Sequence, residues 1–112
     1  MSAITTHVLD TSRGRPAVGI LVLLEHLQPD LTWKKVGSGK TDEDGRLRTL
    51  IGTSLVAGTY RLVFDTRQYF DAAGVRAFYP SIAITFEAAA GETHYHVPLL
   101  LSPFGYSTYR GS

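Results

Sequence analysis

Along most of the chain, apolar and polar residues alternate in short runs bounded by Gly, Pro, Asp and Ser, the period-two pattern of half-buried strands. The runs read as strands are Thr6 to Asp10, Ile20 to Gln28, Thr32 to Lys40, Arg46 to Leu50, Thr59 to Asp65, Ser81 to Ala88, His94 to Leu100 and Tyr106 to Arg110. Between them, Arg13-Gly14-Arg15-Pro16, Asp42-Glu43-Asp44-Gly45, Ala57-Gly58 and Ala90-Gly91 supply the residues that turns require. Ser102-Pro103 reads the same way, which makes Ser102 a turn residue and not a nucleophile. Only Thr66 to Ala73 has helical spacing, with Tyr69, Phe70 and Ala73 on one side and Gly74 placed to end the helix. Eight strands that do not alternate with helices, a single short helix aside, predict an all-β sandwich of two sheets. The aromatics Trp33, Tyr60, Phe64, Phe70, Phe78 and Phe86 follow strand spacing and are assigned to core or interface.

Length and composition narrow this picture. The 112 residues form one domain, 44% hydrophobic, enough to bury a single core without the disulfides that the absence of cysteine rules out. A net charge of +1 with no block of like charges argues against a nucleic-acid partner. The longest apolar run, Ile20 to Leu24, is too short to cross a bilayer, and Met1 to Thr5 lacks the basic and apolar regions of a leader, so a cytoplasmic location is the default expectation. Arg110-Gly111-Ser112 is not a Ser-Lys-Leu peroxisomal address.

The alternation also sorts the polar groups that could carry chemistry. On the strand from His94, the histidines His94 and His96 share one face, while Tyr95, Val97 and Leu99 share the other and look like core. In Thr5-Thr6-His7-Val8-Leu9-Asp10, an inward Val8 puts His7 outside the sandwich. His94-X-His96 has a spacing common among metal ligands, but no carboxylate partner is evident, and an arginine such as the Arg46 that the resemblance given below implies beside the pair would oppose a divalent cation, so no metal is expected. Tyr109 and Arg110 fall on opposite faces, so Tyr109 can lie against a flat ligand while Arg110 either anchors the terminus or reaches the site.

Thr5 to Asp10, Asp44-Gly45-Arg46 and the stretch from His94 to Tyr109-Arg110-Gly111-Ser112 together resemble the 5-hydroxyisourate hydrolases, the enzymatic branch of the transthyretin-related proteins. The resemblance spans nearly the whole chain and implies a transthyretin-like (prealbumin-like) sandwich of two four-stranded sheets with one short helix. It implies hydrolysis of the six-membered ring of 5-hydroxyisourate without a cofactor, in a homotetramer built as a dimer of dimers. It puts His7, Arg46 and His96 in the catalytic centre and His7, Arg46, Tyr109, Arg110, Gly111 and Ser112 around the substrate, and leaves His94 and His26 as structural or exposed. Arg46 is then expected to lower the proton affinity of the His7–His96 pair, keeping an imidazole neutral as base. Which histidine is the base stays open, with His96 favoured because its strand leads into the terminal motif. The competing expectations are a transthyretin-like carrier, which shares the fold but not His7, Arg46, His96 and Tyr109, and an adhesion module, for which a secretion signal is missing.

Overall fold

The computed structural model describes residues 3–51 and 55–112; Met1 and Ser2, the first residues of the stretch read for a leader, lie outside it. Among the described residues, nine strands and one helix follow in the order β1 (Ile4–Asp10), β2 (Arg15–Pro16), β3 (Leu21–Leu27), β4 (Trp33–Lys40), β5 (Arg46–Leu47), β6 (Gly58–Phe64), α1 (Thr66–Ala72), β7 (Ile82–Ala88), β8 (Tyr95–Ser102) and β9 (Gly105–Thr108). One sheet has the order β4-β3-β6-β7, all antiparallel, with a bulge between Leu24 and Glu25. The other has the order β2-β1-β8-β9, with β5 also on β1. The strands β2 and β5 occupy the same edge of β1 end to end, β2 against Leu9 and Asp10 and β5 against Thr6 and His7. Together they fill one strand position, so the sandwich of two four-position sheets is kept with one position divided.

Two strand boundaries depart from the sequence pattern for identifiable reasons. The run Arg46 to Leu50 pairs only over Arg46–Leu47, because beyond it Leu50 turns inward as a core residue, 2% exposed, whose carbonyl lies against Gly37. Residues Arg15 and Pro16, read as a turn, form β2 because Gly14, at φ 67°, folds the chain back onto β1. Buried Asp10 holds this hairpin: Oδ1 accepts from Ser12 Oγ (2.6 Å) and Ser12 N (3.0 Å), and Oδ2 from Tyr69 Oη of α1 (2.7 Å). Burial pushes its carboxyl pKa up, but the hydrogen bonds from Ser12, Tyr69 and Arg13 outweigh burial and hold it below the usual value.

The core sits between the sheets and is built by the alternate residues of each strand. Ile4 and Val8 of β1, Val22 and Leu24 of β3, Leu62 and Phe64 of β6 and Leu99 of β8 are fully buried. Each such side chain contributes about 1.5–3 kcal/mol relative to exposure. Tyr60, Phe64 and Phe70 join the core and Phe86 packs against it, whereas Trp33 is half-buried on the outside of β4. Phe78 departs from the core assignment: it is 68% exposed, edge-on to Tyr79, on the loop that follows α1. The helix is capped by Asp65, whose side chain accepts from Gln68 N, and ends before Gly74 at φ 68°.

Candidate functional site

β1 and β8 are 85 or more residues apart in the chain, yet they run side by side in parallel, in the register Ile4–Tyr95, Thr5–His96, His7–Pro98. Because successive side chains alternate, the faces of the two strands that do not supply the core come together. Thr5 and His7 of β1 therefore join His96 of β8, with His94 just ahead of it. On the opposite edge of β1, Arg46 pairs directly with His7. Tyr95, Val97 and Leu99 lie on the buried side as the alternation requires.

A tight turn delivers Arg46. Asp42 Oδ1 accepts from the backbone N–H of Asp44 (2.8 Å) and Arg46 (3.0 Å), and the Arg46 N–H is the main reason the Asp42 carboxyl lies below its usual pKa. Gly45, at φ 74°, presses so closely on β1 that a Cβ there would stand 2.4 Å from the Val8 carbonyl. The Val8 N–H donates to the Gly45 carbonyl at 2.7 Å. Any side chain at position 45 would lift Arg46 away from His7. Among the described residues Arg46 makes no ion pair.

The second histidine is held on two sides. Its Nδ1 lies 2.8 Å from Thr5 Oγ1, and the same hydroxyl lies 3.2 Å from Nε2 of His94. Thr5 is 5% exposed although it belongs to the outer face, because the imidazoles cover it. On the other side, the terminal segment returns antiparallel to β8: the Gly111 N–H donates to the His96 carbonyl at 2.8 Å. A Cβ on Gly111 would be 2.5 Å from Cδ2 of His96 and 3.2 Å from Cγ of Pro98. Held at Nδ1 and flanked at Cδ2, the ring has Nε2 left for other partners. Burial, followed by the positive charges of His7, His94 and Arg46, lowers the His96 pKa below the ordinary imidazole value. It is therefore neutral at pH 7 and able to accept a proton.

Tyr109 and Arg110 separate as their alternation predicts. The register that pairs Leu99 with Thr108 and His96 with Gly111 sets Tyr109 across from Pro98, on the histidine face, and Arg110 across from Val97. Tyr109 is 58% exposed. The Arg110 guanidinium stacks over the Tyr95 ring at 4.5 Å and approaches Glu92 at 3.6 Å, which is the anchoring arrangement and not one that meets the imidazoles. Exposed Ser112 follows Gly111. His26 is far from this group, on β3, stacked on Tyr60 with a centroid separation of 4.4 Å.

The structure adds Thr5 to the candidates and gives His94 a partner in the cluster. Thr5 has the signal of lying two residues before His7, on the same strand face, but its partner is 91 positions away. His94 was read as structural or exposed; it is half-buried and shares the Thr5 hydroxyl with His96. Among the described residues, no group of three or more His, Cys, Asp or Glu is arranged to hold a metal ion. No helix among them is long and apolar enough to cross a membrane.

Two sheets packed face to face, with imidazoles and a guanidinium gathered on the outside of one, define a transthyretin-type β-sandwich carrying a basic site. The structure is similar to that of sea bream transthyretin in complex with thyroxine, with a TM-score of 0.92 and 32% identity over 97% of this chain and 94% of that one. The sequence model of the HIUase/Transthyretin family matches residues 4–111, and the chain belongs to that family. It is 44% identical over 110 residues to a 5-hydroxyisourate hydrolase of Salmonella dublin, covering 97% of this chain and 80% of that protein. A mouse 5-hydroxyisourate hydrolase is 43% identical over 99% of this chain and 96% of its own length. A probable 5-hydroxyisourate hydrolase of Caenorhabditis elegans is 46% identical, with 99% and 82% covered.

Proposed function

We propose that this protein hydrolyses 5-hydroxyisourate to 2-oxo-4-hydroxy-4-carboxy-5-ureidoimidazoline, the step of purine breakdown that follows urate oxidation. The observation that carries the reading is His96, a half-buried imidazole with lowered proton affinity, surrounded by His7, His94 and Arg46. Relatives that bear the hydrolase name at 43–46% identity over nearly the whole chain support it.

In the proposed reaction, water attacks the carbonyl carbon of the cyclic amide while an imidazole takes one of its protons. His96 is the preferred base, with His7 beside it. The carbonyl oxygen gains negative charge, and the Arg46 guanidinium meets it with a planar pair of donors. Collapse of the tetrahedral intermediate breaks the C–N bond, and the proton held by the imidazole passes to the departing nitrogen. No cofactor enters this scheme. Tyr109, Gly111 and Ser112 wall the substrate, with Arg110 supporting them from the other face of the sheet.

The same reading makes the protein a cytoplasmic homotetramer, a dimer of dimers whose sites are completed between subunits. A flat, solvent-facing sheet surface needs a second wall to exclude water from the reacting bond. The carrier alternative shares the fold, and fold alone does not choose between them. The test is to add purified protein to freshly generated 5-hydroxyisourate and follow ultraviolet absorbance against buffer; decay at the spontaneous rate refutes the hydrolase reading.

A further inference from the structure

The hydroxyl of Thr5 lies between two imidazole nitrogens, Nδ1 of His96 at 2.8 Å and Nε2 of His94 at 3.2 Å, and it has only one proton to give. When the hydroxyl proton is donated to one ring, the oxygen is left to accept from the other. The chain has therefore two polarities. In the first, His94 Nε2–H donates to Thr5 and Thr5 donates to His96 Nδ1, so neutral His96 carries its own proton on Nε2. In the second, His96 Nδ1–H donates to Thr5 and Thr5 donates to an unprotonated His94 Nε2, so the lone pair of His96 is on Nε2.

We infer that Thr5 and His94 are positioning residues that hold the second polarity, fixing neutral His96 as the Nδ1–H tautomer with Nε2 open as the proton acceptor. Two considerations favour this, the ring's fixed orientation and the base role that the proposed reaction gives His96. Gly111 seats against the Cδ2 edge of the ring, so that together with Thr5 it prevents the ring flip that would put Cδ2 where Nδ1 now meets the hydroxyl and turn Nε2 to the other side. When Nε2 gains a proton, the Nδ1–H bond to Thr5 and the Thr5 bond to His94 are both kept, so nothing in the chain must rearrange. The first polarity would instead leave a donor on Nε2, unable to take a proton from water. His7, His94 and Arg46 are the charged or titratable groups that His96 senses.

The inference rests on the proposed hydrolysis, but the tautomer is measured without it, and the experiment reads both tautomer and rate. Long-range proton–nitrogen spectra of nitrogen-15-labelled full-length protein identify which nitrogen of His96 carries hydrogen, with His96→Gln used for assignment. The wild type is expected to show His96 as Nδ1–H at neutral pH. Thr5→Val, which keeps the shape and removes the hydroxyl, should lose that single-tautomer signature and lower kcat roughly ten- to a hundredfold with KM little changed. Thr5→Ser should restore both. His94→Leu should mix the tautomers while leaving Thr5 in place. If circular dichroism shows Thr5→Val to be misfolded, Thr5→Ala against Thr5→Ser makes the same comparison. An Nε2–H tautomer in the wild type overturns the inference, as does a Thr5→Val protein that keeps Nδ1–H, whatever its rate. An inactive wild type whose Nδ1–H tautomer is lost in Thr5→Val would sustain the inference and defeat the hydrolase reading.

Discussion

The outer faces of the two sheets each present an arginine beside a ring system, and they use it in opposite ways. On the four-stranded sheet, Arg61 pairs with Glu25 across the strands, Nε to Oε1 at 2.6 Å, and stacks 4.2 Å above Trp33. Its charge is matched and its donors face a carboxylate. On the other sheet, Arg46 stands beside His7 with no ion pair among the described residues, near a His96 whose proton affinity its charge helps to lower. A guanidinium that is already neutralised supports the structure; one left among imidazoles without a carboxylate is available to an oxygen that becomes negative. Residue type is the same in both places, and the neighbours decide the role.

The largest effect expected is from removing the imidazoles. His96→Ala and His7→Ala should each lower turnover roughly a hundredfold or more, the scale for a lost acid–base group, while circular dichroism stays unchanged. Full activity in both variants would remove the contrast between the faces.

Next comes the exchange that tests the two arginines against each other. Arg46→Lys should cost about tenfold or more in kcat, because lysine keeps charge but loses the planar fork. Arg61→Lys should leave kcat unaltered and lower stability by about 1 kcal/mol through the weakened pair and stacking, read by denaturant unfolding. A fully active Arg46→Lys protein would show that charge alone suffices.

Gly111→Ala should have an intermediate effect, several-fold on kcat. Its methyl would meet Cδ2 of His96 at 2.5 Å and displace the ring without touching the core. Unchanged kinetics would mean that the terminal segment does not set the imidazole's place.

The smallest effect is a displacement of the pH profile. With His96 below the ordinary imidazole value, turnover should be on its plateau at pH 7 and fall only as acid protonates the ring. Burial is the leading cause of that lowering and the charges of His7, His94 and Arg46 are the lesser ones. Arg46→Gln should therefore raise the apparent pKa of the acid limb, so that activity is lost at higher pH than in the wild type. A limb that moves down, or not at all, would show that Arg46 is electrostatically remote from the base.

What the chain determined by itself is local. Strand alternation put Val8 inward and His7 outward, separated His94 and His96 from Tyr95 and Val97, and placed Tyr109 and Arg110 on opposite faces, because a two-residue repeat is a property of extended backbone. Asp42 to Gly45 announced the turn that presents Arg46, and the motifs from Thr5 to Ser112 carried a family resemblance that the 4–111 match agrees with. The tertiary structure decided which faces meet. Parallel pairing of β1 with β8 set Thr5 against His96 across 91 positions, and the register of β9 sent Arg110 to Tyr95 and Glu92 instead of the histidines. It also divided one strand position between β2 and β5 and left Phe78 outside the core. Neighbour and register are chosen by how all the strands together bury Ile4, Val8, Leu62, Phe64 and Leu99, a condition spread over the whole chain that no single window of it contains.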